Sequence, residues 1–344
     1  MSMTILRNGR CVGDYLKPYI VAELNTSHFG DMDLARALID QAQGAGCDCV
    51  KFQSWSAETL YGKGYYAHNV IARRFAGKFA LDDAQLRALS RYAASRHIDF
   101  ASTPYSMAEA KFLVDECDVP FIKIASMELN NLPYLSKLGK LGVPLVLSTG
   151  MGTLEEITEA VRTIEATGNQ QIIILHCTSV YPAAPAIIRL HNIVGLRSEF
   201  PQYPIGYSDH SVGMEIPAAS VALGACLIEK HFTLDRSRIG MDNQMATEPG
   251  EMQAMVRASH RVHEALGGAA RVLSAEEAAQ IKKMRRSLIA KYPLKAGHTL
   301  TEEDLDAKRP GTGLAPMLLG SVIGKRLKQD LDTEMELTWE VLEG

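Results

Sequence analysis

The chain has no excess of positive charge: 36 Lys and Arg stand against 40 Asp and Glu, a formal net charge of -4. A general nucleic-acid surface needs a basic face, so none is expected. No apolar run approaches the length of a membrane span, and the opening Met1-Ser2-Met3-Thr4 has no signal-peptide pattern. A cytoplasmic protein that does not enter the membrane is therefore expected. Six cysteines are present and none forms a C-x-x-C pair. Cys47, Cys49, Cys177 and Cys226 fall in predicted buried strands and read as reduced core residues. Internal repeats and low-complexity segments are also missing. What remains is a chain of 344 residues, 47% apolar. That is enough to fill one large core with a small appendage.

Apolar, β-branched runs alternate with helical patterns. The strand candidates are 19–24, 49–53, 100–105, 121–125, 145–149, 172–177, 205–207 and 227–231. Helices are predicted at 34–44, 83–97, 107–117, 132–141, 154–167, 185–200, 212–223 and 250–266, and 61–79 reads as a long loop. Continuous apolar strands crossed over by helices imply a parallel sheet covered on its outer face. Eight such units imply an α/β fold closed into a (β/α)8 TIM barrel over residues 1–268. Gly267-Gly268-Ala269-Ala270 opens a linker, 269–286, with a helical piece at 274–286. Short β-like runs at 287–292, 308–310, 320–326 and 334–342 then predict a small β-rich domain over 287–344.

Polar residues fall at the same end of every predicted strand: Glu23, then Lys51 and Gln53, then Ser102 and Thr103, then Lys123, Ser126 and Glu128. Ser148 and Thr149 follow, then Thr178, Ser179 and Tyr181, then Ser208, Asp209 and His210, and finally His231. In a parallel barrel that end carries the chemistry. Two lysines among several hydroxyls suit a phosphate or carboxylate, although each could instead sit in a buried ion pair. A Schiff-base role for Lys123 or Lys230 is a separate reading. Two imidazoles on neighbouring strands, with oxygen-rich surroundings, suit a Lewis-acid divalent cation, Mn²⁺ ahead of Mg²⁺. Asp209 reads either as support for that site or as a turn residue. Glu23 and Glu128 read as acid–base groups or as partners of the lysines.

These residues lie in a set of motifs: Ile20-Val-Ala-Glu-Leu24, Val50-Lys-Phe-Gln53, Ser102-Thr-Pro-Tyr-Ser106 and Ile122-Lys-Ile-Ala-Ser126. They continue with Leu147-Ser-Thr-Gly-Met151, His176-Cys-Thr-Ser-Val-Tyr-Pro182, Gly206-Tyr-Ser-Asp-His210, Glu229-Lys-His-Phe-Thr233 and Lys308-Arg-Pro-Gly-Thr-Gly313. In that order they resemble the sialic acid (N-acetylneuraminate) synthase family, whose members also make legionaminic and pseudaminic acids and end in a small β-rich antifreeze-like (SAF) domain. The resemblance implies condensation of phosphoenolpyruvate with an N-acetylated hexosamine to a nine-carbon 2-keto acid and phosphate. It implies His210 and His231 as metal ligands and Glu23 as a proton-handling carboxylate. Lys51, Thr103, Lys123, Ser126, Ser148, Ser179 and Ser208 would hold phosphoenolpyruvate. Gln53, Glu128, Tyr181, Asp242 and Arg309 would face the sugar, Arg309 reaching the partner's site in a domain-swapped homodimer. Where the family has a glycine-containing turn and an Asn-His pair, this chain has Leu24-Asn25-Thr26-Ser27-His28. That departure bears on the sugar, which could be N-acetylmannosamine or a diacetamido-trideoxyhexose. A synthase for a phosphorylated or non-acetylated aldose and a non-catalytic carbohydrate-binding barrel are the alternatives.

Overall fold

The structure is a computed structural model that describes residues 2–343. It divides into two compact units, Met1–Gly267 and Gly268–Gly344. The first opens with an antiparallel pair, β1 (Met3–Ile5) and β2 (Cys11–Gly13), which the sequence pattern did not reveal. Eight parallel strands then close into a barrel: β3 (Tyr19–Glu23), β4 (Cys49–Ser54), β5 (Asp99–Pro104), β6 (Ile122–Ile124), β7 (Leu145–Ser148), β8 (Ile172–Cys177), β9 (Ile205–Asp209) and β10 (Leu227–His231). β10 pairs with both β9 and β3, so no strand edge is left open. Side chains lean alternately into the barrel and against the outer helices. Several helices begin where the sequence supplies caps. Asp31 accepts from the backbone N–H groups of Asp33 and Leu34, and Asp82 and Thr153 each close a capping box.

The inward positions form layers. Tyr19, Val21, Cys49, Ala101, Phe121, Val146, Ile173, Leu175 and Leu227 pack with Leu6 and Val12 of the N-terminal segment into one apolar cluster at the amino end of the strands. Two residues further along the same strands the inward positions become Glu23, Lys51, Thr103, Lys123, Ser148, Cys177 and Glu229, each buried. Gly206 is required between these layers, because a Cβ there would stand 2.6 Å from both a Leu175 methyl and the Leu227 carbonyl oxygen.

Several predicted elements differ. The helix expected over 185–200 is two pieces, Pro185–Ile188 and Asn192–Glu199, separated by Arg189 in the left-handed region. The Ile188 carbonyl accepts from His176 Nε2 (2.7 Å) rather than from the next helical turn. The stretch 61–79 is not an irregular loop but two helices, Lys63–His68 and Val70–Phe79, the second capped by Asn69 and burying Ala76 and Phe79. The helix expected over 212–223 forms only from Glu215 to Ala222.

In the second unit, helix Ala275–Met284 precedes an antiparallel pair, β11 (Ser287–Ala290) and β12 (Leu305–Lys308). The run 320–326 is not a strand: it begins in the short helix Leu319–Val322. The run 334–342 joins the sheet only through an isolated bridge from Glu336 to Ile289, bridges Leu327 through Leu342, and carries a turn of 3-10 helix at Trp339–Val341. Leu288, Leu300, Leu305, Val322 and Leu337 form this unit's own core. Asp304 is buried beside it and accepts from Tyr292 Oη, from Thr301 N–H and Oγ1, and from His298 Nε2. Those donors hold its carboxyl below the usual range against the opposing effect of burial. No helix among the described residues is long and apolar enough to cross a membrane.

Candidate active site

A cavity of about 350 Å³ opens at the carboxyl ends of the barrel strands. Its floor is the polar layer described above. The parallel register places Glu23 beside Lys51 on one side and His231 on the other, and pairs Ser208 with Glu229. Lys51 Nζ lies 2.6 Å from a Glu23 oxygen and 3.6 Å from Glu229, and it donates to Thr103 Oγ1 (3.1 Å). Lys123 Nζ lies 3.6 Å from the other Glu229 oxygen and donates to Ser148 Oγ (2.8 Å). Ser208 Oγ donates to Glu229 (3.2 Å). One buried carboxylate is thus shared between two buried ammonium groups.

Charge pairing and burial compete here. Burial pushes Glu23 upward, and the nearby Lys51 only partly opposes this, so Glu23 is poised to accept a proton more readily than an exposed carboxylate. Lys51 is itself desolvated, yet the Glu229 and Glu23 carboxylates hold it above its ordinary value. Burial wins at Lys123, which is lowered despite Glu229. Glu229 is also desolvated, but Lys123 and Lys51 bring it below the usual carboxylate range.

The two imidazoles sit above this floor with ring centroids 5.3 Å apart, and Tyr181 packs on His210 at 4.1 Å. His210 Nδ1 donates to the Thr178 carbonyl (2.9 Å), which fixes the proton on Nδ1 and leaves Nε2 free. Burial drives His231 well below its ordinary value, so its ring is neutral. Among the described residues no three His, Cys, Asp or Glu side chains converge as a ligand set. The donors present suit a cation held by two imidazole nitrogens that takes its other ligands from water or substrate oxygens.

Asp209 belongs to the support of this site. It accepts from Tyr207 Oη (2.8 Å), from Ser211 N–H (3.0 Å) and Oγ (3.0 Å), and from Lys230 Nζ (2.5 Å). That network fixes the turn carrying His210. Lys230 points away from the cavity into this ion pair, so the Schiff-base reading fails for it. Replacing Lys230 by Met, with Asp209 kept, is expected to strand a buried carboxylate and cost about 3–5 kcal/mol of stability. Urea unfolding of the purified variant against the wild type checks this.

Of the residues singled out in the sequence, Glu23, Lys51, Gln53, Thr103, Lys123, Ser126 and Ser148 line the cavity. So do Ser179, Tyr181, Ser208, His210, His231 and Asp242. Gln53 bridges Tyr105 Oη (2.9 Å) and Glu23 (2.8 Å). Thr149 instead turns back to donate to the Leu175 carbonyl (2.9 Å). Glu128 does not line the cavity; its carboxylate accepts from Asn131 Nδ2 (2.7 Å) in the turn after β6. Arg309 is exposed in the second unit, immediately after β12. Cys177 is more than a core residue, since its sulfur faces the cavity 3.9 Å from His210 Nδ1 and 3.7 Å from Ser126 Oγ. The most consequential residue missed is Glu229. It stands two positions before His231, and strand alternation alone aims both to the same side.

Comparisons with known proteins agree with this architecture. The NeuB family profile matches residues 38–271, and the SAF domain profile matches residues 285–339. The chain belongs to the NeuB family: it is an enzyme of that family, a TIM barrel followed by a SAF domain. It is 35% identical to the N,N'-diacetyllegionaminic acid synthase of Legionella pneumophila, covering 96% of each chain. It is 34% identical to the human N-acetylneuraminate-9-phosphate synthase, covering 95% of this chain and 94% of that one. Among solved structures it is similar to the N-acetylneuraminic acid synthetase from Leptospira borgpetersenii in complex with citrate. That match has a TM-score of 0.75 and 32% identity, covering 81% of this chain and 96% of that one.

Proposed function

We propose that this chain condenses phosphoenolpyruvate with an N-acetylated hexosamine, N-acetylmannosamine or a diacetamido-trideoxyhexose. The products are a nine-carbon 2-keto sugar acid and inorganic phosphate, for a surface polysaccharide or glycan. The observation that carries this reading is the floor itself: two buried ammonium groups sharing Glu229, ringed by hydroxyls, beneath two adjacent imidazoles. The relatives named as acid synthases support the same class of reaction.

Lys51 and Lys123, with the hydroxyls of Thr103, Ser126, Ser148, Ser179 and Ser208, bind the carboxylate and phosphate of phosphoenolpyruvate. The methylene carbon forms the new bond to the aldehyde carbon of the open-chain sugar, and the carbonyl oxygen takes up a proton. Water adds to the former enol carbon, losing a proton to a carboxylate for which Glu23 is well placed. The carbon–oxygen bond to phosphate then breaks, and a ketone and inorganic phosphate result. Fixed charge at the floor lowers the barrier without reorganisation. A divalent ion held by His210 and His231, Mn²⁺ ahead of Mg²⁺, would supply Lewis acidity toward the sugar's carbonyl oxygen. Gln53, Tyr181 and Asp242, all in the cavity wall, face the sugar. By the same resemblance the working unit is a cytoplasmic, domain-swapped homodimer in which Arg309 serves the partner's site.

The test is phosphate release from phosphoenolpyruvate with Mn²⁺ across a panel of aldoses. Release dependent on one N-acylated sugar is the expected result. Phosphoenolpyruvate binding without release from any sugar would remove the reading. Mixing Arg309→Ala with His231→Ala protein is expected to restore part of the activity lost in each. No rescue in verified mixed dimers would remove the role of Arg309 in trans.

A further inference from the structure

The cavity changes character between floor and mouth. Its mouth is lined by Trp55, Leu60 and Tyr61 from the segment after β4, and by Met127, Met151 and Met241 from three other loops. The three methionines are each about half exposed or more. Flexible thioethers and aromatic faces suit methyl groups and the C–H faces of a sugar. Among the described residues lining the cavity, the only lysines or arginines are Lys51 and Lys123, both on the floor and both already paired with carboxylates. The one carboxylate higher in the wall is Asp242, 4.0 Å from His231 Nδ1.

Asp242 is held in place by the segment in which this chain departs from the family pattern. Three consecutive side chains grip three consecutive residues across the seam between the first and last barrel strands. Asn25 Nδ2 donates to Asp242 Oδ2, Thr26 Oγ1 accepts from the Met241 N–H (3.4 Å), and Ser27 Oγ donates to Asn243 Oδ1 (3.1 Å). Asn25 is buried, with a φ of 38°, where a side chain is disfavoured and glycine is not. The latch therefore fixes at once a negative charge and an apolar methionine at the mouth.

We propose that the sugar end of this cavity selects an uncharged, acylated, preferably 6-deoxy acceptor over a phosphorylated one, and that Asn25 is the positioning residue that sets this choice through Asp242. The inference rests on the function proposed above. A sugar phosphate would bring a dianion beside the fixed carboxylate of Asp242, where the described residues of the barrel supply no ammonium or guanidinium group and the Arg309 proposed to act in trans would bring only one positive charge. Acyl and C6 methyl groups would instead meet Met127, Met151 and Met241.

The experiment measures kcat and KM for phosphoenolpyruvate and for three acceptors: a 2,4-diacetamido-2,4,6-trideoxyhexose, N-acetylmannosamine and N-acetylmannosamine 6-phosphate. The wild type and Asn25→Gly are compared, with Asp242→Asn as a second variant. Glycine adopts the backbone of residue 25 without strain, so the variant folds. The wild type is expected to favour an unphosphorylated acceptor by about a hundredfold in kcat/KM. Asn25→Gly is expected to raise the KM of that acceptor by about tenfold and leave the phosphoenolpyruvate KM within twofold. Asp242→Asn is expected to narrow the discrimination against the phosphate, whatever activity it retains. Preference for the 6-phosphate, or an acceptor KM unchanged in Asn25→Gly, overturns this inference and leaves the reaction standing. No phosphate release by the wild type with any acceptor overturns the reaction and the inference together.

Discussion

Lys123→Met is expected to lower kcat/KM for phosphoenolpyruvate by about a thousandfold or more, the scale of losing one preorganised charge in a desolvated site. Lys123 is the less firmly paired of the two floor lysines. It meets one carboxylate, Glu229, at 3.6 Å, whereas Lys51 lies against Glu23 at 2.6 Å and also near Glu229. Its ammonium is thus the one most free to turn to an incoming anion. The methionine is close in length and apolar, and Glu229 keeps Lys51 and Ser208 as partners. The fold should therefore survive the substitution. Steady-state kinetics, calorimetric binding of phosphoenolpyruvate and a thermal melt check the three parts. A loss under tenfold, with binding intact, would take Lys123 out of the reaction.

His231→Ala should be as severe by another route. The ring is neutral because it is buried, which keeps a nitrogen lone pair available for a cation at neutral pH. With His210 it forms the only pair of imidazoles lining the cavity among the described residues. On the proposed assignment, removing one of the two imidazoles is expected to weaken Mn²⁺ binding by about a hundredfold and turnover by about a thousandfold. The barrel should still form, because β10 keeps both its neighbours through the backbone. Titration with Mn²⁺ and assays before and after chelation give the answer. Undiminished turnover by the chelated variant would end the metal assignment.

The barrel was legible because most strands open on a short apolar run before the polar residues at their carboxyl end. Ile172–Cys177 and Leu227–His231 have the same bounds in the structure as in the sequence reading. The end bearing the chemistry was legible for the same reason, since the polar residues interrupt those runs on one side only. Three things were not. Glu229 sits in the middle of β10, beside the more conspicuous Lys230 and His231, and stands out only once Lys51 and Lys123 are known to flank it. The break at Arg189 depends on His176, thirteen residues earlier, capturing the Ile188 carbonyl. The helices Lys63–His68 and Val70–Phe79 are masked by charge: Arg73, Arg74 and Lys78 suggest a solvated loop, and only Tyr66, Ala76 and Phe79 are buried there. Each depends on a partner distant in sequence or on a thin apolar face.

Leu6 and Val12 fill the amino end of the barrel with the innermost apolar layer. Among the described residues the cavity is consequently closed at that end and opens toward the carboxyl ends of the strands. A compound destined for the lysines passes, on the proposed assignment, the place where the sugar would sit, and a bound sugar obstructs the way down. On the proposed assignment, phosphoenolpyruvate enters before the aldose, and the sugar acid, anchored by its new carboxylate, leaves only when the upper part of the well clears. An order of arrival on that assignment needs no moving gate; a plugged barrel favours it.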